Sequence, residues 1–494
     1  MSAPAPPTAP GGARPPNIIT IVLDCARAKN FAHSGGGPLA ETPAIDDLAR
    51  RGTAFPRAVA PSNWTVPSHY SIFTGTYPNV HGIRTYQKVA DRPETTAEYL
   101  RSLGYETAIL TENVHLVGGY GLEAGFDRQV AHRQGISDSE RTGVTGMFGG
   151  TERIYSPSVL KLLSRIPPLV APLSWMFHSA EVEFKRQVCS QLTLEHFRDW
   201  LRTRGPDRPF YTFFNFVDTH DPYQALRNGR RVGWVDRAYL YAPRSYLLAV
   251  PEILERAPWP AMVRGYVRTI ADADRKVGQI LRTLEEHGER DRTLVIVTSD
   301  HGQAFGEQGN VYHGTGATDS VTRVPLVVAP PKGTTVPARV GRWVSLCEID
   351  SWIRATASGL APFDADGRAP YPFSATAPDP SVVFCEGAPA SDSNRSLRRI
   401  GPGRSWNHRL LAAYRGEEKF VLDEDVGEIS RWSVASDPDG GDATKLSGQE
   451  LSDVRAEVFG PYEAQETLRR EKAKSGPAPV DVDVEERLRS WGYI

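Results

Sequence analysis

Three predominantly apolar runs that each end on aspartate constrain the fold of this chain more than any other feature. They are Asn17 to Asp24 (NIITIVLD), Phe210 to Asp218 (FYTFFNFVD) and Thr293 to Asp300 (TLVIVTSD). Runs without polar alternation belong to strands covered on both faces, the condition of a parallel sheet in an α/β fold. Thr107 to Leu110 and Val324 to Ala329 add two more such runs. Helical spacing over Pro43 to Arg51 and Ile270 to His287 separates them, with Gly52 and Gly288 as stops. Crossover connections bring the carboxyl ends of parallel strands to one edge. Asp24, Asp218 and Asp300 are therefore expected to converge where open α/β sheets bind ligands.

The rest of the chain bounds the setting. Residues 1–16, MSAPAPPTAPGGARPP, have neither a basic start nor an apolar run, so they read as a disordered tail and not as a signal peptide. After Pro362 the composition turns to Pro, Ser, Asp and Gly, with short strand candidates at Ser381 to Cys385, Arg409 to Tyr414 and Lys419 to Leu422. The expected division is a catalytic α/β domain over 17–375 and a smaller C-terminal α+β subdomain over 376–494. Ser156 to Ala180 is the most apolar stretch, but Lys161, Arg165 and prolines interrupt it, so it reads as a lid-like insertion and no transmembrane segment is expected. Its Trp175, Met176 and Phe177 suit a cover over an active site.

With 57 basic and 59 acidic residues the net charge is -2, which excludes nucleic acid as partner. The run Arg227 to Arg231 is a solvated loop on this reading. Four cysteines, Cys25, Cys189, Cys347 and Cys385, show no paired spacing, as in a reducing compartment, and the expected location is cytoplasmic. No pattern speaks to oligomeric state.

Asp24, at a strand end, suits either a hard metal ligand or a helix cap. Asp300-His301-Gly302 favours the metal, because it sets an oxygen and an imidazole ligand beside a backbone free to turn. Thr65, between Trp64 and Pro67, has the context of a helix amino terminus, where the dipole and free amides favour an anion held against its hydroxyl. A threonine hydroxyl needs a metal or base to become a nucleophile. His220, in Asp218-Thr219-His220-Asp221, and His313, in Tyr312-His313-Gly314, are read as acid or oxyanion-holding groups. His69 follows one helical turn after Thr65. The catalytic set is Thr65, His69, His220 and His313; Trp64, Asp218, His220 and His313 bind substrate; Asp24, Thr65, Asp300 and His301 hold metal. Cys25 is read as a small buried residue and left out of the metal shell.

The blocks NIITIVLDCARA, ETPAIDDLARRGTAF, SNWTVPSHYSIFTGTYPNVHG, FVDTHDPY and TLVIVTSDHGQAFGEQGNVYHG occur in this order, and with them the chain resembles the sulfatase-like branch of the alkaline phosphatase superfamily. The resemblance implies an α/β/α sandwich with a mostly parallel central sheet and a divalent metal at the strand ends. By position, Asp24, Asp300 and His301 match metal ligands, Thr65 the nucleophile, and His220 and His313 oxyanion or leaving-group residues.

Several positions depart from the family. Thr65 stands where sulfatases carry the Cys or Ser that becomes formylglycine, and a secondary alcohol cannot be oxidised to that aldehyde. His69 replaces the arginine of the maturation motif, Asp24-Cys25 replaces two successive aspartates, His301 a common asparagine and Gln303 a common glutamate. Exchanging carboxylate for imidazole favours Mn or Zn over Ca. One divalent metal ion is expected. The spacing in Asp218-Thr219-His220 departs from the usual second-metal pattern but leaves room for a second ion.

The expected function is a metal-dependent hydrolase or transferase acting on a phosphate or phosphonate ester of a small molecule. The alternatives are a sulfuryl or sulfamoyl ester enzyme working without formylglycine, and a non-catalytic binding protein of the same fold.

Overall fold

The computed structural model describes residues 14–36, 39–84, 92–131, 190–221, 223, 259–314, 316–370, 373, 381–387, 408–434 and 443–474. Residues 1–13 of the expected tail, the loop 227–231 and the apolar segment 156–180 lie outside them.

The central sheet has seven strands: β1 Asn17–Leu23, β2 Thr53–Ala54, β3 Glu106–Thr111, β4 Arg128–Ala131, β5 Phe210–Phe216, β6 Thr293–Thr298 and β7 Leu326–Ala329, in the spatial order β2-β7-β6-β1-β5-β3-β4. β1 pairs in parallel with both β5 and β6, and β3 with both β5 and β4. β7, expected simply as another covered strand, runs antiparallel to β6. Apolar periodicity is the same in either direction, so the pattern alone does not distinguish them.

The doubly apolar runs are explained by alternation between two cores. Ile18, Val22, Ile109, Tyr211, Phe213, Leu294 and Ile296 face one layer, while Ile19, Ile21, Leu23, Leu110, Phe214, Phe216, Val295 and Val297 face the other. The first layer takes Val66, Tyr70 and Phe73 from helix α2 (Thr65–Thr74), Ala97 and Leu100 from α3 (Thr96–Ser102), and Ile349, Trp352 and Ile353 from α6 (Glu348–Ala357). The second takes α1 (Pro43–Arg51), a helix α4 over 190–203, and α5 (Trp259–Glu286). Each buried Leu, Ile or Phe contributes about 1.5–3 kcal/mol, so burial on both faces is what commits these runs to interior strands. α1 matches its expected limits. α5 begins at Trp259, well before Ile270, because Met262 and Tyr266 extend the buried stripe through a first turn disguised by Pro260 and Gly265.

A separate antiparallel sheet near the carboxyl end comprises β8 Val382–Gly387, β9 Leu410–Arg415, β10 Glu418–Asp423, β11 Glu428–Ser433 and β12 Thr444–Lys445. One face packs on Val454, Val458, Phe459 and Tyr462, the other on Val59, Ala317 and Trp343 of the main body. Lys419 Nζ from this sheet donates to Ala317 O at 2.6 Å and to Asp319 Oδ1 at 2.7 Å, and Tyr414 OH donates to Asp319 Oδ1 at 2.6 Å. Backbone bonds also join Glu386 to Pro61 at 2.9 Å and Asn63 to Glu386 at 3.1 Å. Among the described residues no helix is long and apolar enough to cross a membrane.

Candidate active site

Asp24 continues the ladder by one bond, its amide donating to Phe216 O at 2.9 Å. The next residue, Cys25, has φ 68, a left-handed backbone uncommon outside glycine. That turn aims the Cys25 amide at Asp300 Oδ1, 3.2 Å away, and lets its thiol donate to Asp24 Oδ1 at 3.2 Å. Asn113 Nδ2 donates to Asp24 Oδ2 at 3.0 Å. The first and last sheet aspartates are thus joined through one residue.

Asp300 is fully buried, and its two oxygens differ. Oδ1 accepts from the amides of Cys25 and His301, at 3.2 and 2.9 Å. Oδ2 is buried without a hydrogen-bond partner and faces His301 Nε2 at 3.3 Å and His69 Nδ1 at 3.6 Å. Burial, and after it the charge of Asp24, pushes the Asp300 carboxyl well above the usual range. His301 Nδ1 lies 3.0 Å from Gly302 O; a carbonyl only accepts, so Nδ1 carries the proton. Burial lowers the His301 pKa to about 4, so Nε2 is an acceptor, and it faces the Thr65 hydroxyl at 3.2 Å and the Asp300 carboxyl at 3.3 Å. An imidazole oriented by a carbonyl on its other nitrogen, beside a buried carboxyl oxygen without a hydrogen-bond partner, is how proteins present a metal ligand. The residues therefore fit a divalent cation.

Thr65 starts α2, is 5% exposed, and its Oγ1 lies 3.2 Å from His301 Nε2. Ser68 Oγ donates to Asp300 O at 2.6 Å and so clamps the helix start to the β6 loop. Gly302 serves space more than turning: an added Cβ would meet Ser320 O at 2.1 Å. His69 is fully buried behind the nucleophile candidate. Its Nδ1 donates to Thr65 O at 2.8 Å and burial lowers its pKa to about 4.

His220 and His313 stand edge to face with ring centroids 4.8 Å apart, His313 stacks on His301 at 4.7 Å, and Trp64 lies 5.6 Å from His313. The structure thus gathers Trp64, Thr65, His220, His301 and His313. It does not bring in Asp218, whose Oδ2 pairs with Lys276 Nζ. Lys276 also reaches Glu112 Oε1 at 3.3 Å.

Cys25 joins the site, contrary to its reading as packing alone. Donor atoms of Asp24, Cys25 and His301 lie within 4.8 Å of one another, as do those of Cys25, His220 and His313. Asn113 and Gln303 were also missed as partners. Asn113 stands two residues beyond the end of β3, on the same strand-end edge as Asp24 beyond β1, and that position was a legible signal. Cys347 and Cys385 are free buried thiols elsewhere, and Cys189 lies outside the described residues.

Residues 16–342 match the Sulfatase family model. Choline-sulfatase of Rhizobium meliloti is 26% identical over 362 residues, 64% of this chain and 63% of that protein. The ulvan-active sulfatase of Formosa agariphila is 23% identical, covering 66% of this chain and 59% of its own length. The chain thus spans under two thirds of these relatives. Among solved structures, the phosphonate monoester hydrolase of Agrobacterium radiobacter superposes with TM-score 0.55 at 21% identity, over 93% of this chain and 95% of that one. A 2-O GAG sulfatase gives TM-score 0.62 at 14% identity, over 96% of each chain. These neighbours share the alkaline-phosphatase-like sandwich. With the strand-end aspartates, the helix-start threonine and the Asp-His pair set on that scaffold, this chain belongs to the sulfatase family.

Proposed function

We propose that the protein is a metal-dependent hydrolase or transferase of a phosphate or phosphonate ester of a small molecule, with Thr65 as nucleophile. The observation that carries this reading is Thr65 Oγ1 at the start of α2, 3.2 Å from His301 Nε2, the same nitrogen that lies 3.3 Å from the unpartnered Asp300 Oδ2. A divalent cation held by Asp24, Thr65, Asp300 and His301, with Mn or Zn favoured over Ca, would supply a lowered hydroxyl pKa and charge neutralisation. Thr65 Oγ attacks in line, forming the bond to phosphorus as the leaving oxygen departs. The amino terminus of α2 favours the developing negative charge. His220 and His313 hold substrate oxygens or protonate the leaving group. Trp64 lines the approach to them. His69, bonded to Thr65 O, keeps the helix start in register.

The catalytic unit is taken as 17–375 with 376–494 as its companion, in a cytoplasmic setting. Thr65→Ala should abolish turnover while leaving the circular dichroism spectrum unchanged; wild-type rates in that variant would overturn the mechanism. Family membership favours a second reading, sulfuryl or sulfamoyl ester cleavage. Parallel assays with p-nitrophenyl sulfate and with phosphate mono- and diesters separate the two.

A further inference from the structure

We propose that the amino-terminal edge of the central sheet, opposite the catalytic edge, carries an anion site in which Arg14, Arg204 and Arg292 hold a free tetrahedral dianion, phosphate or sulfate. The three come from separate parts of the chain. Arg14 precedes β1, Arg204 follows α4 and Arg292 immediately precedes β6. Parallel β1, β5 and β6 all start at this edge, so it lies a strand length away from Asp24 and Asp300 and shares no residue with the candidate active site.

The guanidinium groups converge on one carboxylate without hydrogen-bonding to it. Glu289 Oε1 lies 3.6 Å from Arg14 Nη1 and 3.9 Å from Arg204 Nη1, and Oε2 lies 3.6 Å from Arg292 Nε. Asn17 Nδ2 instead donates to Glu289 Oε2, at 2.6 Å. Arg14 Nη2 and Arg204 Nη2 both donate to the carbonyl of Arg208, and Arg292 Nη2 donates to those of Arg14 and Pro15 at 3.4 Å, which ties the three side chains into one cluster. Each of them keeps an Nε that is buried and has no hydrogen-bond partner. The Arg204 side chain is 2% exposed and that of Arg292 34%, so the cluster opens on the Arg292 side.

Charge at the cluster is incompletely matched. Three cations face two carboxylates at close range, Glu289 and Glu106, whose Oε2 stands 3.9 Å from Arg204 Nε; Asp207 acts on Arg14 more weakly than Glu289 does. Burial, and after it the charge of Arg292, lowers the Arg14 pKa, and burial lowers that of Arg204 against the pull of Glu106, with Arg14 and Arg292 adding to the loss. Arg84 shows the satisfied alternative. Burial acts on it too, but Glu386 accepts from its Nε and Nη2 at 2.7 Å each, and its pKa is raised. Residues 1–13, which lead into Arg14, contain no Asp or Glu that could complete the balance. Guanidinium donors without carboxylate partners match the oxygens of a tetrahedral oxyanion, and partial burial shields such a pairing from salt.

The test is isothermal titration calorimetry of the full chain as purified, with sodium phosphate and separately with sodium sulfate, at constant ionic strength. Saturable binding is expected, and the tighter of the two anions identifies the ligand. Arg14→Gln and Arg292→Gln should each weaken one equivalent about tenfold, the worth of one charge-assisted hydrogen bond. Glu289→Gln can still accept from Asn17 but no longer repels the anion, so it should tighten the same equivalent severalfold, a gain that damage to the fold cannot produce. Affinity unchanged in both arginine variants, no tightening in Glu289→Gln, or no saturable binding of either anion beyond that of sodium chloride would overturn the proposal. Thermal melts of the variants that match wild type without added anion show that the weakening is not one of folding.

Discussion

Two groups of buried carboxylates lie along the same sheet edge, and the protein treats them in opposite ways. Beyond β3 and β5, Glu112 and Asp218 share the ammonium of Lys276, and Glu112 also accepts from Ser190 Oγ at 2.6 Å and from the Val217 amide at 3.2 Å. Beyond β1 and β6, Asp24 and Asp300 have only amides, Asn113 and a thiol as donors, and among the described residues no Lys or Arg pairs with either. Both pairs had to be desolvated for the sheet to be covered. Among the described residues only one pair receives a cation from the chain, which makes the other a place suited to positive charge from outside.

The contrast is most strongly challenged at Lys276. Lys276→Met leaves Glu112 and Asp218 buried without their cation and should cost about 3–5 kcal/mol of stability, measured by denaturant unfolding. A change below 1 kcal/mol would mean that the paired cluster is not held together by that charge.

A control away from both clusters concerns acid. His81 Nδ1 accepts from the Ile83 amide at 3.1 Å and its Nε2 lies 3.0 Å from Ser71 Oγ, so the ring is locked neutral. Burial lowers its pKa to about 3, against 6.5 unfolded. The unfolded chain therefore takes up a proton that the folded chain refuses, and stability is lost as pH falls from about 6.5 towards 3. The loss is of order 3 kcal/mol or more. His81→Gln should flatten that part of the stability curve; an unchanged slope assigns the acid sensitivity to other groups.

The smallest effect is also the one of opposite sign. In chelator, Asp300→Asn should stabilise the fold by about 1–2 kcal/mol, because it removes one of two facing carboxylates, while turnover collapses. Added Mn2+ or Zn2+ should raise the wild-type melting temperature, by about 2.7 kcal/mol in stability at a hundredfold excess over Kd, and raise the variant's far less. Destabilisation of the variant in chelator would show that Asp300 is structurally satisfied after all.

The legible parts of the molecule were those written locally. NIITIVLD and TLVIVTSD declare strand, burial and terminal carboxylate in one stretch, and Thr65 with Pro67 declares a helix start. α1 likewise carries its limits in proline and glycine. Asp218 looked equivalent to the other two aspartates because its run is equivalent. Its diversion to Lys276 depends on a residue 58 positions away on α5, and no period records that pairing. Cys25 was legible as a neighbour of the site but not as a member, since its left-handed backbone is what turns its amide and thiol towards the two aspartates.

The C-terminal sheet grips the main body at two places, Pro61 to Asn63 just before Thr65, and Ala317 to Asp319 just after His313. It contributes none of the reacting groups, yet it forms the back wall of a vice whose jaws carry the hydroxyl and an imidazole. A chain shortened before β8 would retain its layered body and lose its aim, with the two jaws free to drift apart.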